Sequence, residues 1–143
     1  MPDSHFPYLK GQLVAQLVAF FGDDVRRITH ALDVLHEAEK LLEASCDECD
    51  RELVIASALL HDVGIKPSEE ELGYNDGKTQ EEYGPPVART LLESINFPLE
   101  KLDIVCRIVG NHHSPSRYPY PELELLKKAD RVVNQRDTSA GKS

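Results

Sequence analysis

The sequence predicts an all-α fold, a single-domain bundle of about six helices. Three observations carry this. Apolar residues recur at helical spacing in segment after segment, and nowhere is there the sustained two-residue alternation of a half-buried strand. Glycines and prolines cluster between several of those segments. The 143 residues suffice for one core without disulfides or cofactors, so residues 1–143 read as one domain with its core over about 25–134.

The first helix is expected over residues 9–21, where Leu13, Leu17, Phe20 and Phe21 share a face and Gly22 stops it. His5 precedes it in an N-terminal tail. Asp23 or Asp24 caps a long second helix to about Ser45, with Ile28, Ala31, Leu32, Leu35, Ala38 and Leu42 in one stripe. His36 shares the opposite face with Glu39, Lys40 and Glu43 and reads as surface. The turn Cys46-Asp47-Glu48-Cys49 has C-x-x-C spacing, but no second cysteine or histidine pair completes a zinc site. No β-α-β setting suggests a thioredoxin-like motif either, so an ordinary helix-helix turn is expected. A third helix ends near Asp62.

Residues 63–78 read as an irregular connection, because Gly64, Pro67, Gly73, Asn75, Asp76 and Gly77 all favour turns. Only Ser68-Glu69-Glu70-Glu71 suggests a short helical turn, and its glutamates read as solvated. A connection this long is often functional. Thr79, with Glu82 at the capping-box position, starts the next helix, unless that helix restarts at Pro85-Pro86; it ends near Ile95. Pro98 opens a fifth helix to about His113, with Leu102, Val105, Cys106 and Val109 inward. Residues 114–121 are too rich in proline for a helix or a central strand. A last helix covers residues 122–136, and 138–143 are expected to fray.

Sixteen basic against 25 acidic residues give a formal charge of −9, which repels a phosphate backbone and argues against long nucleic acids. A small anionic substrate remains compatible, since a bound metal and a few local cations reverse the field inside a pocket. No segment approaches the roughly 18 apolar residues of a membrane span, and the N-terminus lacks the pattern of a secretory signal. With three cysteines, consistent with a reducing compartment, the expected location is cytoplasmic.

His61-Asp62 ends the most apolar stretch of the chain, residues 53–60. A helix of that composition is buried on nearly all sides. An imidazole and a carboxylate at its end are costly to bury unless something binds them. A divalent cation binds both, since neutral imidazole nitrogen and carboxylate oxygen are standard ligands for zinc, iron and manganese. His30 lies at the edge of the second helix's stripe, beside Val34 and Leu41, and Asp130 falls on the buried face of the last helix, between Leu126 and Val133. Each alone has an ordinary explanation in a packed histidine or an ion pair. Together, projecting toward one core in the order H…HD…D, they call for a cation.

Arg27-Ile28-Thr29-His30, Ala58-Leu59-Leu60-His61-Asp62-Val63-Gly64, Asn111-His112-His113 and Lys128-Ala129-Asp130 match a known set of motifs. Together they resemble the R-x-x-H, A-L-L-H-D-I-G, double-histidine and K-A-D segments of the HD-domain metal-dependent phosphohydrolase superfamily, in its HDIG-type form. The resemblance spans residues 25–134. It implies a helical bundle that holds a divalent cation (Fe, Mn, Zn, Ni, Co or Mg) by His30, His61, Asp62 and Asp130. It also implies hydrolysis of a phosphate mono- or diester of a small molecule, often a nucleotide.

Two departures from the family pattern stand out. Two-metal members carry a further histidine near the start of the fourth helix, where this chain has Glu81-Glu82-Tyr83-Gly84. One firm metal site is therefore expected, with room for a second through Glu81, His112 and His113. The alternative for His112-His113 is a solvated pair at a helix C-terminus, where a proton is stabilised. The lysine that directly follows H-D-x-G in the family is Ile65 here, and Lys66 comes next.

The expected reaction uses metal-activated water, with Asp62 orienting that water and Arg27 and Lys66 assisting. Lys78 and Arg117 are the expected contacts to substrate phosphate. Two rival readings are a di-iron HD-type oxygenase, which needs two irons, and a non-catalytic ligand-sensing module, against which the complete H…HD…D set argues.

Overall fold

The apolar run that ends at His61-Asp62 becomes the axis of the molecule. The computed structural model describes residues 2–45 and 48–141. Among the described residues there are seven α-helices and no strand: α1 (Pro2–Phe21), α2 (Val25–Ser45), α3 (Arg51–Leu60), α4 (Ile65–Leu72), α5 (Gly77–Ser94), α6 (Leu99–Val109) and α7 (Pro121–Gly141). Every residue of α3 from Leu53 to Leu60 is buried, because α1, α2, α6 and α7 all pack around it. Asp50 caps this helix by accepting from the amides of Glu52 and Leu53.

Around α3, the helix faces follow the apolar spacing. Ala31, Val34, Leu35, Ala38 and Leu42 of α2 meet α3 and α7, which contributes Leu123, Leu126, Ala129 and Val133. Leu32, expected within the stripe, is instead 39% exposed. Gly22 ends α1 with a φ of +59° and donates its amide to the Val18 carbonyl, as a left-handed stop requires.

The largest difference from expectation lies after Asp62. Residues 65–72 form a full helix, α4, which packs on α5. Gly73 ends it at a φ of +81°. The connection shrinks to residues 73–76, and Ser68 is buried, its hydroxyl donating to the Tyr74 carbonyl and lying in hydrogen-bond contact with the Thr79 hydroxyl. The cap of α5 is Asp76 rather than Thr79; the two side chains form a reciprocal capping box three residues earlier than expected. The helix then runs through Pro85 and Pro86 without restarting.

Gly64 makes the turn between α3 and α4 workable. A Cβ there would lie 2.5 Å from the Gln80 carbonyl oxygen and 2.6 Å from the Gly84 amide nitrogen, both backbone atoms of α5. Gly84 in turn faces Val109 of α6, where a Cβ would sit 2.6 Å from Cγ1. The two glycines let α5 press against both the His61-Asp62 turn and α6.

At the ends, α1 begins well before Leu9, so His5 is helical rather than in a tail; it is exposed, and its ring lies 2.7 Å from Glu52. Residues 138–141, expected to fray, belong to α7. Cys49 is disulfide-bonded, against the expectation of reduced cysteines in a plain turn; Cys46 and Asp47 lie outside the described residues. Cys106 is free and buried. Among the described residues, no helix is long and apolar enough to cross a membrane.

Candidate metal centre

Four elements deliver polar side chains to one point beside the core: α2 gives His30, the turn after α3 gives His61 and Asp62, the turn after α6 gives His112 and His113, and α7 gives Asp130. His30 Nε2 lies 3.0 Å from Asp130 Oδ1 and 3.5 Å from Asp62 Oδ2. His61 Nε2 lies 3.3 Å from Asp62 Oδ2 and 3.5 Å from Asp130 Oδ1. Donor atoms held about 2.1 Å from a common cation stand about 3.0–3.4 Å apart from one another. The cluster therefore has the spacing of one coordination shell.

The ring orientations agree with that. His61 Nδ1 is 2.7 Å from the Ala58 carbonyl oxygen and His112 Nδ1 is 2.6 Å from that of Val109. Since a carbonyl only accepts, both rings carry the proton on Nδ1 and turn Nε2 inward. Neither Nε2 has a hydrogen-bond partner, although both side chains are buried. Backbone anchoring of Nδ1 with a lone pair left on Nε2 is the arrangement of metal-ligating histidines. An orphaned buried nitrogen facing carboxylates is otherwise costly.

Asp62 links this set to a second one. Its Oδ2 faces His30 and His61, while its Oδ1 lies 3.6 Å from His112 Nε2. Ligand atoms from His30, His61 and Asp130 lie within 4.8 Å of one another, and so do those from Asp62, His112 and His113. The residues present fit one cation well and offer three donors to a second.

Electrostatics without a cation show how tightly the groups are coupled. Burial opposes charge on His61, but Asp62 and Asp130 outweigh it and hold the ring well above the ordinary imidazole range. Burial likewise opposes charge on Asp62, yet His61 and His112 keep its carboxyl well below the usual carboxylate range. Asp130 is pushed down in the same way, against the effect of burial, by its hydrogen bond to His30 and by the nearby His61 ring. His113 is lowered by burial and by the neighbouring His112. Both aspartates are thus anionic at neutral pH and ready to ligate.

The family model of the HD domain matches residues 27–135, most of the chain and all of the cluster. The chain belongs to the HD-domain superfamily of metal-dependent phosphohydrolases. No curated protein and no solved structure matches it.

Several residues around the HD centre make contacts that the sequence did not suggest. Lys66, expected to assist catalysis, donates to the Phe20 carbonyl 2.6 Å away and sits over the Phe20 ring, so it ties α4 to the end of α1. Arg27, expected to act on substrate, is clamped between Asp24 at 2.9 Å and both oxygens of Glu69 at 2.9 and 3.1 Å. Glu69 is therefore a structural partner rather than a solvated charge. Glu81 belongs to neither ligand trio; its carboxylate accepts from the His113 amide and the Ser114 hydroxyl and so shapes the double-histidine turn. Tyr83 stands at the place of the family's additional histidine, and burial and the nearby Glu71 hold its hydroxyl above the ordinary phenol range. Lys78 is exposed in the first turn of α5, and the Arg117 guanidinium donates to the Gly110 carbonyl and to Ser114.

Other contributors were not anticipated. Asn134 donates to Asp130 Oδ1 at 3.2 Å, one helical turn along α7. Asp137 Oδ2 stands 4.0 Å from His30 Nδ1 and so faces the outer side of that ring. Gln80 Oε1 is 2.5 Å from His113 Nε2 and is itself braced by Asn75. Cavities open on both sides of the centre. One of about 820 Å³ is walled by His112, His113 and Asp130, and another of about 740 Å³ by His30 and Asp62.

Proposed function

We propose that this protein is a metal-dependent phosphohydrolase that cleaves a phosphate mono- or diester of a small molecule. The observation that carries the reading is the pair of buried, unpartnered Nε2 atoms of His61 and His112 on opposite sides of Asp62. Such an arrangement serves charge concentrated at one point, and it lies open to cavities large enough for a small ester. His30, His61, Asp62 and Asp130 would hold the first cation, and Asp62, His112 and His113 a second. A divalent ion there supplies a Lewis acid for phosphoryl oxygens and lowers the pKa of a water molecule beside it.

The protein's own groups account for the rest. Asp62, kept ionised by His61 and His112, accepts a hydrogen from the attacking water and fixes its approach. The Val109 and Ala58 carbonyls hold His112 and His61 in one tautomer, so the centre needs no reorganisation when substrate arrives. Asn134 steadies Asp130 through its hydrogen bond to Oδ1, and Asp137 faces the outer nitrogen of the His30 ring 4.0 Å away.

The test is phosphate release from a panel of phosphomonoesters and diesters, nucleotides included, with and without a chelator. Metal-dependent release that disappears in Asp62→Asn is the expected result. The trio at Asp62, His112 and His113 also gives the di-iron oxygenase reading a footing. Two irons per chain with dioxygen consumption, and no phosphate release from any ester, would replace the hydrolase reading with that one.

A further inference from the structure

The larger cavity beside the metal centre has a charge of its own. Its far wall is a stripe of α7 made by Lys127, Arg131, Asn134 and Gln135, next to Asp130. Lys127 and Arg131 are four residues apart, so they project from the same side of the helix. Like charges at this spacing repel. Arg131 makes no hydrogen bond or ion pair with the described residues, although Asp130 is its direct neighbour. Lys127 Nζ donates only to neutral oxygens, the Ser114 carbonyl and Ser116 Oγ, both at 2.7 Å. Within a chain of net charge −9, two uncompensated cations flank the opening to the metal centre.

The other cations near the centre are engaged elsewhere: Arg27 by Asp24 and Glu69, and Lys66 by the Phe20 carbonyl. The wall contains no tyrosine, phenylalanine or tryptophan on which a nucleobase would stack. The aromatic rings at this cavity are those of His112 and His113, at the metal centre rather than on the α7 side.

We infer that Lys127 and Arg131 form a second anion subsite, and that the substrate carries a second anionic group on the part that leaves with the cleaved ester oxygen. The preferred class is thus a small bis-anionic ester, such as a bisphosphate or a phosphorylated carboxylic acid. This rests on the phosphohydrolase reading for which group is cleaved, but the subsite itself is a binding property that does not require turnover. Arg131 offers a planar, multidentate donor set to the second anion, and Lys127 adds a point charge from the adjacent turn.

Binding of two inert ligands tests it. Ethylene diphosphonate carries two anionic ends and ethylphosphonate one, and neither is hydrolysed. Calorimetric titration of the metal-loaded protein, with metal retention checked by elemental analysis, is expected to favour the diphosphonate by about tenfold or more. Arg131→Gln is expected to bring the two affinities together, and Arg131→Lys to restore part of the difference. Equal affinities in the wild type, an undiminished preference in Arg131→Gln, or no binding of either ligand would each overturn the subsite. A protein that hydrolyses no ester yet keeps an Arg131-dependent preference loses the hydrolase reading and retains the subsite. One that releases phosphate without any preference loses only the subsite.

Discussion

Asp62 stands between two sets of histidines and offers a different oxygen to each. Asparagine in its place keeps the volume but removes the charge that both sets face. Asp62→Asn is therefore expected to lower kcat for metal-dependent phosphate release by about 100-fold or more, with helicity by circular dichroism unchanged. Activity near wild type would show that another carboxylate does this work. The same coupling sets a pH dependence. In the metal-free protein, His61 is raised above its unfolded value, so its pairing with Asp62 and Asp130 stabilises the fold at low pH and is lost as pH rises through the raised value. The depressed carboxyls act oppositely, contributing above the ordinary carboxylate range and failing only in strong acid. A cation displaces the protons, so the gain in melting temperature on adding metal is expected to grow between about pH 6 and about pH 8. A gain independent of pH would mean that protons and metal do not share the site.

Helices bring these residues together through two close backbone approaches and a few tethers. Gly64 admits the backbone of α5 where a Cβ would collide with it. Gly64→Ala is expected to cost about 1–3 kcal/mol of stability in denaturant unfolding, with loss of metal affinity from displacement of the adjacent Asp62. Lys66 fastens α4 to the end of α1. Lys66→Ala is expected to reduce stability by about 1 kcal/mol while leaving kcat and KM unchanged on any verified substrate; a raised KM would return Lys66 to the phosphate site. The sequence suggested a role at the substrate for good reason. A cation after H-D-x-G is visible in the chain, but the carbonyl or carboxylate that captures it comes from another helix. Arg27 and Glu69 illustrate the same blindness, since 42 residues separate them in sequence and two hydrogen bonds join them in space. The helix α4 is hard to see in the sequence because half of its residues are charged and its ends are glycines; Ser68, its buried polar contact, meets Thr79 only when α5 is in place.

At the scale of the whole molecule, what was legible was whatever burial makes expensive. His61, Asp62 and Asp130 stood out because charged or polar groups interrupt apolar faces, and the all-α architecture followed from the same faces. Asn134, Asp137 and Gln80 gave no such signal. Each is a polar residue at a position where a solvated helix would carry one, and its partner lies on the site it supports. The acidic surface and the cationic wall of the larger cavity likewise separate only in three dimensions. Everything proposed for the reaction depends on the histidines and aspartates sharing a cation. Elemental analysis after reloading the chelator-stripped protein with a single divalent metal measures this most directly. The account expects at least one equivalent retained per chain in the wild type, and less than a tenth of that in His61→Ala and Asp130→Ala, about the loss that removal of one ligand brings. Equal retention in wild type and both variants, or none in any, would contradict it.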